Sequence, residues 1–288
     1  MPNYIAPEDD GLKTCNYGKW TEEKLDYLTR YIERFETSMR DKPWRARHYI
    51  DLQAGPGKCR VKRTTRVLLG SPLIALTTEH PFTGYFFVDN DHGNVEALRR
   101  RCSQSSLTSK VIIFEGDCNI VVDEIVKHVK AIDSHFIRGA WPSLNLAFLD
   151  PEGFELRWET VAKLASLARM DLIINFSIYG LRRFMPICIK QDHSDIDDFF
   201  GGTEWRDIYY KYAGHSGRVR ALLDSYKDKL GALGYEDVRD STEPLIRNTL
   251  RRAPLYYLVF ACKHRLGNKF WNDIAQQNLQ GQRPLFAL

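Results

Sequence analysis

The stretch His48-Tyr49-Ile50-Asp51-Leu52-Gln53-Ala54-Gly55-Pro56-Gly57 runs from apolar residues into a carboxylate and then a glycine turn. Such a turn lets the backbone pass close beneath a bound small molecule, and the acid that opens it can receive a cationic or hydroxylated part of that ligand. Two phosphate-binding loops carry similar glycines, and neither fits. A P-loop needs a glycine where Leu52 stands and a Ser or Thr in place of Cys59. A dinucleotide fingerprint needs a third glycine at Arg60 and a ribose-binding acid about 20 residues on, whereas the next acid at the end of an apolar stretch is Asp89.

What survives is an acid followed by an AxGxG-like turn, which resembles the loop of class I S-adenosylmethionine (SAM) methyltransferases, whose ligand has no phosphates to cradle. On that reading Asp51, with Gln53, Ala54, Gly55 and Gly57, lies where the methionine moiety passes. The amino group is drawn to the carboxylate and the ligand carboxylate to backbone N–H groups. Asp89, with Asn90 beside it, is placed to accept the ribose hydroxyls, and Asp117 with Cys118 to hold the adenine amino group. Any single strand-end Asp can instead cap the helix that follows it. Three in register make coincidence a poor account.

Asp150-Pro151-Glu152-Gly153-Phe154 falls beside the position of the transferable methyl group, so Asp150 counts among both the cofactor and the catalytic candidates. Enzymes that methylate base amino groups carry an acid or Asn, two prolines and an aromatic here. This chain has Glu152 and Gly153 at the last two positions, which counts against base methylation. Asp150 could accept an acceptor N–H, Glu152 could act as base or bind a cationic acceptor, and Phe154 could stack; the alternative for each is a structural turn. Methyl transfer needs in-line positioning and proton removal more than a covalent nucleophile. Lys58, Arg60, Lys62, Arg63 and Arg66 follow the glycine turn with no acid among them, and form a candidate substrate-side strip for nucleic acid. Their alternative is plain solvation.

These residues need a scaffold. Leu25, Leu28, Ile32, Phe35 and Met39 recur at helical spacing behind Thr21, and Ser71 as cap with Pro72 at the first helical position opens another helix. Strands are expected at 48–52, 85–88, 111–114, 144–149 and 172–176, alternating with helices and each ending in a polar turn. That pattern defines an α/β fold: a doubly wound, Rossmann-like class I methyltransferase sheet, parallel for most of its width and covered on both faces. The closing antiparallel pair is expected at Tyr235–Arg239 and Leu255–Cys262, after a helical and irregular insertion that follows the fifth strand. One domain over 1–288 is expected, with a lead-in at 13–47, a SAM-binding core at 48–176, the insertion at 177–215 and a closing unit at 216–288.

No apolar run approaches the roughly 20 residues that span a bilayer, and no basic-then-apolar leader opens the chain, so a cytoplasmic protein with no membrane role is expected. The six cysteines show no CxxC spacing, which predicts free thiols and no metal.

The chain also resembles the three-Cys-motif partner family, bacterial and phage-related proteins of methyltransferase-like fold. The resemblance rests on Lys19-Trp20-Thr21 with Lys24-Leu25, Tyr49 to Gly57, Gly70-Ser71-Pro72-Leu73, Phe87-Val88-Asp89, Gly116-Asp117-Cys118-Asn119, Leu149-Asp150-Pro151, Asp171 to Phe176, and Tyr256 to His264 followed by Gly267. It implies a SAM-binding fold and a companion, a radical-SAM-like protein that carries the three cysteines; it does not imply a particular reaction. The expectation is a SAM-dependent methyltransferase acting on a nucleic acid, nucleotide or peptide with that partner. The alternative is a non-catalytic module that holds SAM or nucleic acid for the partner enzyme.

Overall fold

The computed structural model describes residues 5–135, 137–213 and 217–277. A short strand β1 (Cys15–Tyr17) precedes helix α1 (Thr21–Met39), strand β2 (Arg47–Asp51), the hairpin strands β3 (Lys58–Val61) and β4 (Val67–Leu69), and helix α2 (Ser71–Thr77). Strand β5 (Gly84–Asp89), helix α3 (His92–Cys102), strand β6 (Val111–Glu115), helix α4 (Cys118–Ser134), strand β7 (Leu144–Leu149), helix α5 (Trp158–Ala165) and strand β8 (Met170–Ser177) follow in strict alternation. Helices α6 (Ile178–Cys188), α7 (Asp195–Phe200), α8 (Glu204–Lys211) and α9 (Arg218–Ala232) lead to strands β9 (Leu245–Arg247) and β10 (Pro254–Ala261) and helix α10 (Arg265–Ala275).

Seven strands form one sheet in the order β6-β5-β2-β7-β8-β10-β9, parallel from β6 to β8 and antiparallel at β10 and β9. This is a doubly wound, Rossmann-like arrangement closed by an antiparallel pair at one edge. Its faces separate by the period-two rule: Ile50, Phe86 and Val88 pack on one side, Tyr49, Tyr85 and Phe87 on the other. Strand β7 lies at the centre and is buried along its whole length. The chain builds outward from β2 through β5 to β6 and then returns to the far side of β2 as β7, so the order reverses between β2 and β7. That switch point is where a doubly wound sheet opens a crevice at its carboxyl ends.

Two regions differ from the sequence expectation. The closing pair is β9 with β10, not Tyr235–Arg239 with β10; Glu236–Asp240 forms a 3-10 turn. Tyr235 and Val238 are both buried, and their spacing of three aims both into the core beneath α9, which a strand could not do. The basic segment after the glycine turn is the β3–β4 hairpin, which joins β1 in a separate three-stranded sheet. Ser71, expected to cap α2, is instead its first residue, and Gly70 occupies the cap. Among the described residues, no helix is long and apolar enough to cross a membrane.

Candidate functional site

Strands β2, β5, β6 and β7 deliver their polar ends to one cavity of about 850 Å3. The β2 turn is shaped by two glycines in left-handed backbone, Gly55 (φ +60°) and Gly57 (φ +85°), a region that other residues enter only with strain. A side chain at Gly55 would meet nothing within 4 Å, whereas one at Gly57 would strike Leu98 and Leu73. Gly55 therefore opens towards the cavity while Gly57 seats the turn against α2 and α3. The Gly55 N–H donates to Asp89 Oδ2 (2.8 Å), and Asp89 Oδ1 accepts from the Asp91 N–H (2.9 Å) and Asn94 Nδ2 (3.1 Å). A carboxylate offers about four acceptor sites, so one remains free on Asp89 rather than the two that a pair of ribose hydroxyls would take.

Gln53 crosses the floor of the cavity. Its Oε1 accepts the Asp150 N–H (3.1 Å) and its Nε2 donates to Cys118 Sγ (3.3 Å), so one amide couples the ends of β2, β6 and β7. Asp117 caps α4 by accepting the Asn119 N–H (2.8 Å). Asn119 in turn donates to the Glu155 carbonyl (2.8 Å) and accepts from Thr160 Oγ1 (2.6 Å), clamping the β7–α5 loop to α4. Burial pushes the Cys118 thiol up to about 12, with the Asp117 charge adding to the effect, so it stands as a thiol rather than a thiolate.

Gln53, Gly55, Asp89, Asn90, Asp117, Cys118, Asp150, Glu152 and Phe154 all line the cavity. Asp51, Ala54 and Gly57 do not. Asp51 is fully buried beneath the turn, where its carboxylate accepts the Gln53 N–H (3.3 Å) and bonds Ser71. Burial raises its pKa to about 7, against the bond from Ser71 and with the help of the nearby Asp150 and Asp89 charges. It anchors the turn from within. Phe154 shows only an edge, since its ring packs at right angles on Phe199 (5.3 Å) and Phe184 (6.4 Å).

The basic strip lies away from this cavity and is largely spoken for. Lys58 is buried and paired with Asp10 (2.9 Å), Arg60 pairs with Asp9, and Arg66 pairs with Glu22 (2.8 Å). Only Lys62 and Arg63, on the exposed hairpin turn, form no ion pair among the described residues. Arg101, at the end of α3, is wholly buried; it grips Asp10 and the Lys13 and Pro56 carbonyls, lashing the N-terminal segment to the glycine turn.

The Asp150 side of the cavity is held by a residue to which the sequence assigns no chemical role. Lys24, on α1, forms a buried ion pair with Asp150 Oδ2, while Asn175 Nδ2 donates to Asp150 Oδ1 (2.8 Å). The Lys24 ammonium sits 5.7 to 6.0 Å from the ring centroids of Tyr256, Tyr17 and Phe148, within cation–π range. A signal was present in the chain: Lys24 stands in line with Leu28, Tyr31 and Phe35 on the buried stripe of α1, where an unpaired lysine is not tolerated. Tyr17 O–H also donates to Glu152 Oε1 (3.2 Å), and the Glu155 carboxylate accepts the Glu152 and Gly153 N–H groups (2.6 and 2.8 Å), fixing the turn. Cys15 and Tyr17 reach the cavity because β1 lies beside β3.

The wall is strongly acidic. Asp89, Asp91, Asp117 and Asp150 line one part; Glu152, Glu155, Asp195 and Asp198 line the rest; Arg157 is the one lysine or arginine among the lining residues. Asp197, the remaining acid of that run, faces inward, capping α7 with Ser194 and binding Arg206.

No protein-family model matches the chain, and no curated protein matches it. Among solved structures it is similar to a protein from Legionella pneumophila at 11% identity, covering 57% of this chain and 72% of that one, with a TM-score of 0.39. It is also similar to a geranyl diphosphate C-methyltransferase from Streptomyces coelicolor, solved with Mg2+, geranyl diphosphate and S-adenosylhomocysteine (11% identity, 81% and 78% coverage, TM-score 0.33). A third is a SAM-dependent methyltransferase from Geobacter sulfurreducens in complex with S-adenosylhomocysteine (12% identity, 81% and 89% coverage, TM-score 0.32).

Proposed function

We propose that the protein is a SAM-dependent methyltransferase whose acceptor is an amine on a cationic peptide. One observation carries the reading: the glycine turn, Asp89, Asp117 with Cys118, and Asp150, from four neighbouring strand ends, line a single cavity at the switch point. The residues fit the cofactor. At about 850 Å3 the cavity lies within the range of small-molecule sites. Gly55 leaves room for close approach, one acceptor site on Asp89 is free, and the acidic wall suits a sulfonium cation.

SAM supplies the electrophilic methyl group. The turn and Asp89 would hold its amino-acid and ribose parts, and Asp117 its adenine. Lys24 and Asn175 fix both oxygens of Asp150, so that carboxylate orients an acceptor amine rather than carrying its proton away. Glu152, exposed on the rim and bonded through its carboxylate only to Tyr17 O–H among the described residues, is the group free to take that proton. A nucleic acid would meet eight carboxylates at this wall, and the like charge disfavours it. The companion implied by the family resemblance, a three-Cys-motif radical-SAM-like protein, belongs to the same proposal as the source of the peptide, and rests on the sequence alone.

The bonds from Lys24 and Asn175, one to each Asp150 oxygen, also favour a second reading, a non-catalytic SAM-holding module for that partner. Calorimetric titration of SAM and S-adenosylhomocysteine, beside an Asp89→Ala variant, tests the cofactor. Micromolar binding that weakens at least about tenfold in the variant is expected. Production of S-adenosylhomocysteine with a Lys-rich peptide then separates enzyme from module, and no binding of either ligand would sink both readings.

A further inference from the structure

At the opposite, amino-terminal edge of the sheet, α1 and α10 enclose a second cavity of about 390 Å3. Its walls are apolar: Phe35, Leu144 and Phe270 on one side, and on the other the indoles of Trp44 and Trp141, packed edge to face at 4.8 Å. Its floor holds Asp171, only 9% exposed, whose Oδ2 accepts the Tyr31 O–H (2.8 Å). The other Asp171 oxygen has no hydrogen-bond partner among the described residues. Trp44 Nε1 is a buried donor with no partner either. At the rim, Lys42 and Arg169 are exposed and form no ion pair among the described residues, while Lys263 spends its ammonium on the Ala165 and Leu167 carbonyls.

We propose that this cavity binds an amphipathic organic acid, with its hydrocarbon or aromatic body between the indoles and Phe270 and its carboxylate at the Lys42–Arg169 rim. The volume falls within the ligand range of roughly 300–1,000 Å3. Removing apolar ligand surface from water supplies the affinity, and the polar group on the floor, Asp171, is an acceptor that repels a carboxylate and so turns it towards the rim. The exposed Arg169 guanidinium at the rim calls for an acceptor, and a guanidinium pairs best with a carboxylate. Rim cations reject an amine head. An acyl chain and an aromatic acid share this chemistry, and they differ in whether the body is flexible or planar.

Dodecanoate and 1-naphthylacetate, with dodecylamine and dodecanol as controls, are to be titrated calorimetrically into the full chain below their micelle-forming concentrations. At least one acid is expected to bind more tightly than either control. Arg169→Glu should weaken it about tenfold or more, and Leu266→Trp, which fills the mouth, should abolish it while circular dichroism stays unchanged. Should the tryptophan variant misfold, the exposed Arg169→Glu variant carries the test alone. The proposal is overturned if dodecylamine binds as well as the acids, if Arg169→Glu binds like the parent, or if neither acid binds at about 1 mM. SAM titrations on the same variants report separately on the methyl-transfer reading, which this proposal does not need.

Discussion

Asp150 shows how much a single residue's partners decide. Its position at the end of an apolar stretch marks it as a site residue from sequence, and so do the positions of Asp89 and Asp117. What the sequence conceals is its pairing with Lys24, 126 residues away, because nothing local links a lysine on a leading helix to a distant strand end. The same holds for Asn175 and for the two-sided role of Gln53. Asp51 was legible as a turn residue but not as a buried one, since the same acid can point up into a cavity or down into the core. The pairing carries a prediction. Lys24→Met leaves Asp150 without its cation and held by Asn175 alone, so production of S-adenosylhomocysteine with a Lys-rich peptide should fall roughly 100-fold, the scale of a lost proton-handling or orienting group. SAM affinity should change by less than about threefold, because the ion pair lies beyond the turn that would hold the cofactor. Unchanged turnover would remove Lys24 and Asp150 from the active edge.

At the level of elements, the strands of the parallel sheet were legible because each is a continuous apolar run between polar turns, and a buried parallel strand needs nothing else. The hairpin β3–β4 was not, because a strip of cations carries no period-two pattern; its order comes from Asp9, Asp10 and Glu22, acids lying outside the strip. The closing strand was misplaced for the opposite reason, two apolar residues that suit a tight turn as well as a strand. Packing of α1 on β8 adds a titration. Asp171, at the start of β8, has its pKa raised to about 7 by burial against the opposing effects of the Tyr31 hydroxyl and Arg169. A carboxyl raised in the folded state holds its proton more tightly there than in the unfolded chain, so its contribution is complete below about pH 4 and is lost as pH climbs to about 7. Asp51 and Glu36, also raised to about 7 mainly by burial, act in the same direction. Asp171→Asn keeps an acceptor for Tyr31 and removes one of the three, so its unfolding free energy should decline less steeply between pH 5 and pH 7, by on the order of 2 kcal/mol. Denaturant melts at several pH values measure this, and parallel curves for the two proteins would show that Asp171 does not titrate in that window.

On the scale of the whole molecule, net charge misleads. The chain is formally +4, yet the cavity at the switch point is lined by eight carboxylates and one arginine, because folding draws basic residues into ion pairs elsewhere and gathers strand-end acids in one place. Only the three-dimensional order of the strands brings three separate Asp-containing turns, and the acids of α7, into one acidic wall, so composition could not reveal it even though each turn could be read. Two of the wall's carboxylates are offset by cations from outside the lining set, Lys24 on Asp150 and Lys13 on Asp91, and Arg157 lies 3.7 Å from Asp198. The remainder leaves a negative field at the mouth. A cationic acceptor entering such a mouth is attracted over about a Debye length, some 10 Å at 0.1 M salt and about 3 Å at 1 M. The KM for a Lys-rich peptide should therefore rise several-fold between these salt concentrations while kcat changes little, since screening acts on encounter and not on groups already in contact. Single-stranded DNA added at low salt should not compete with the peptide. Competition by the DNA, or a KM that falls with salt, would mean that the acceptor approaches over the hairpin turn at Lys62 and Arg63 instead of through the acidic mouth.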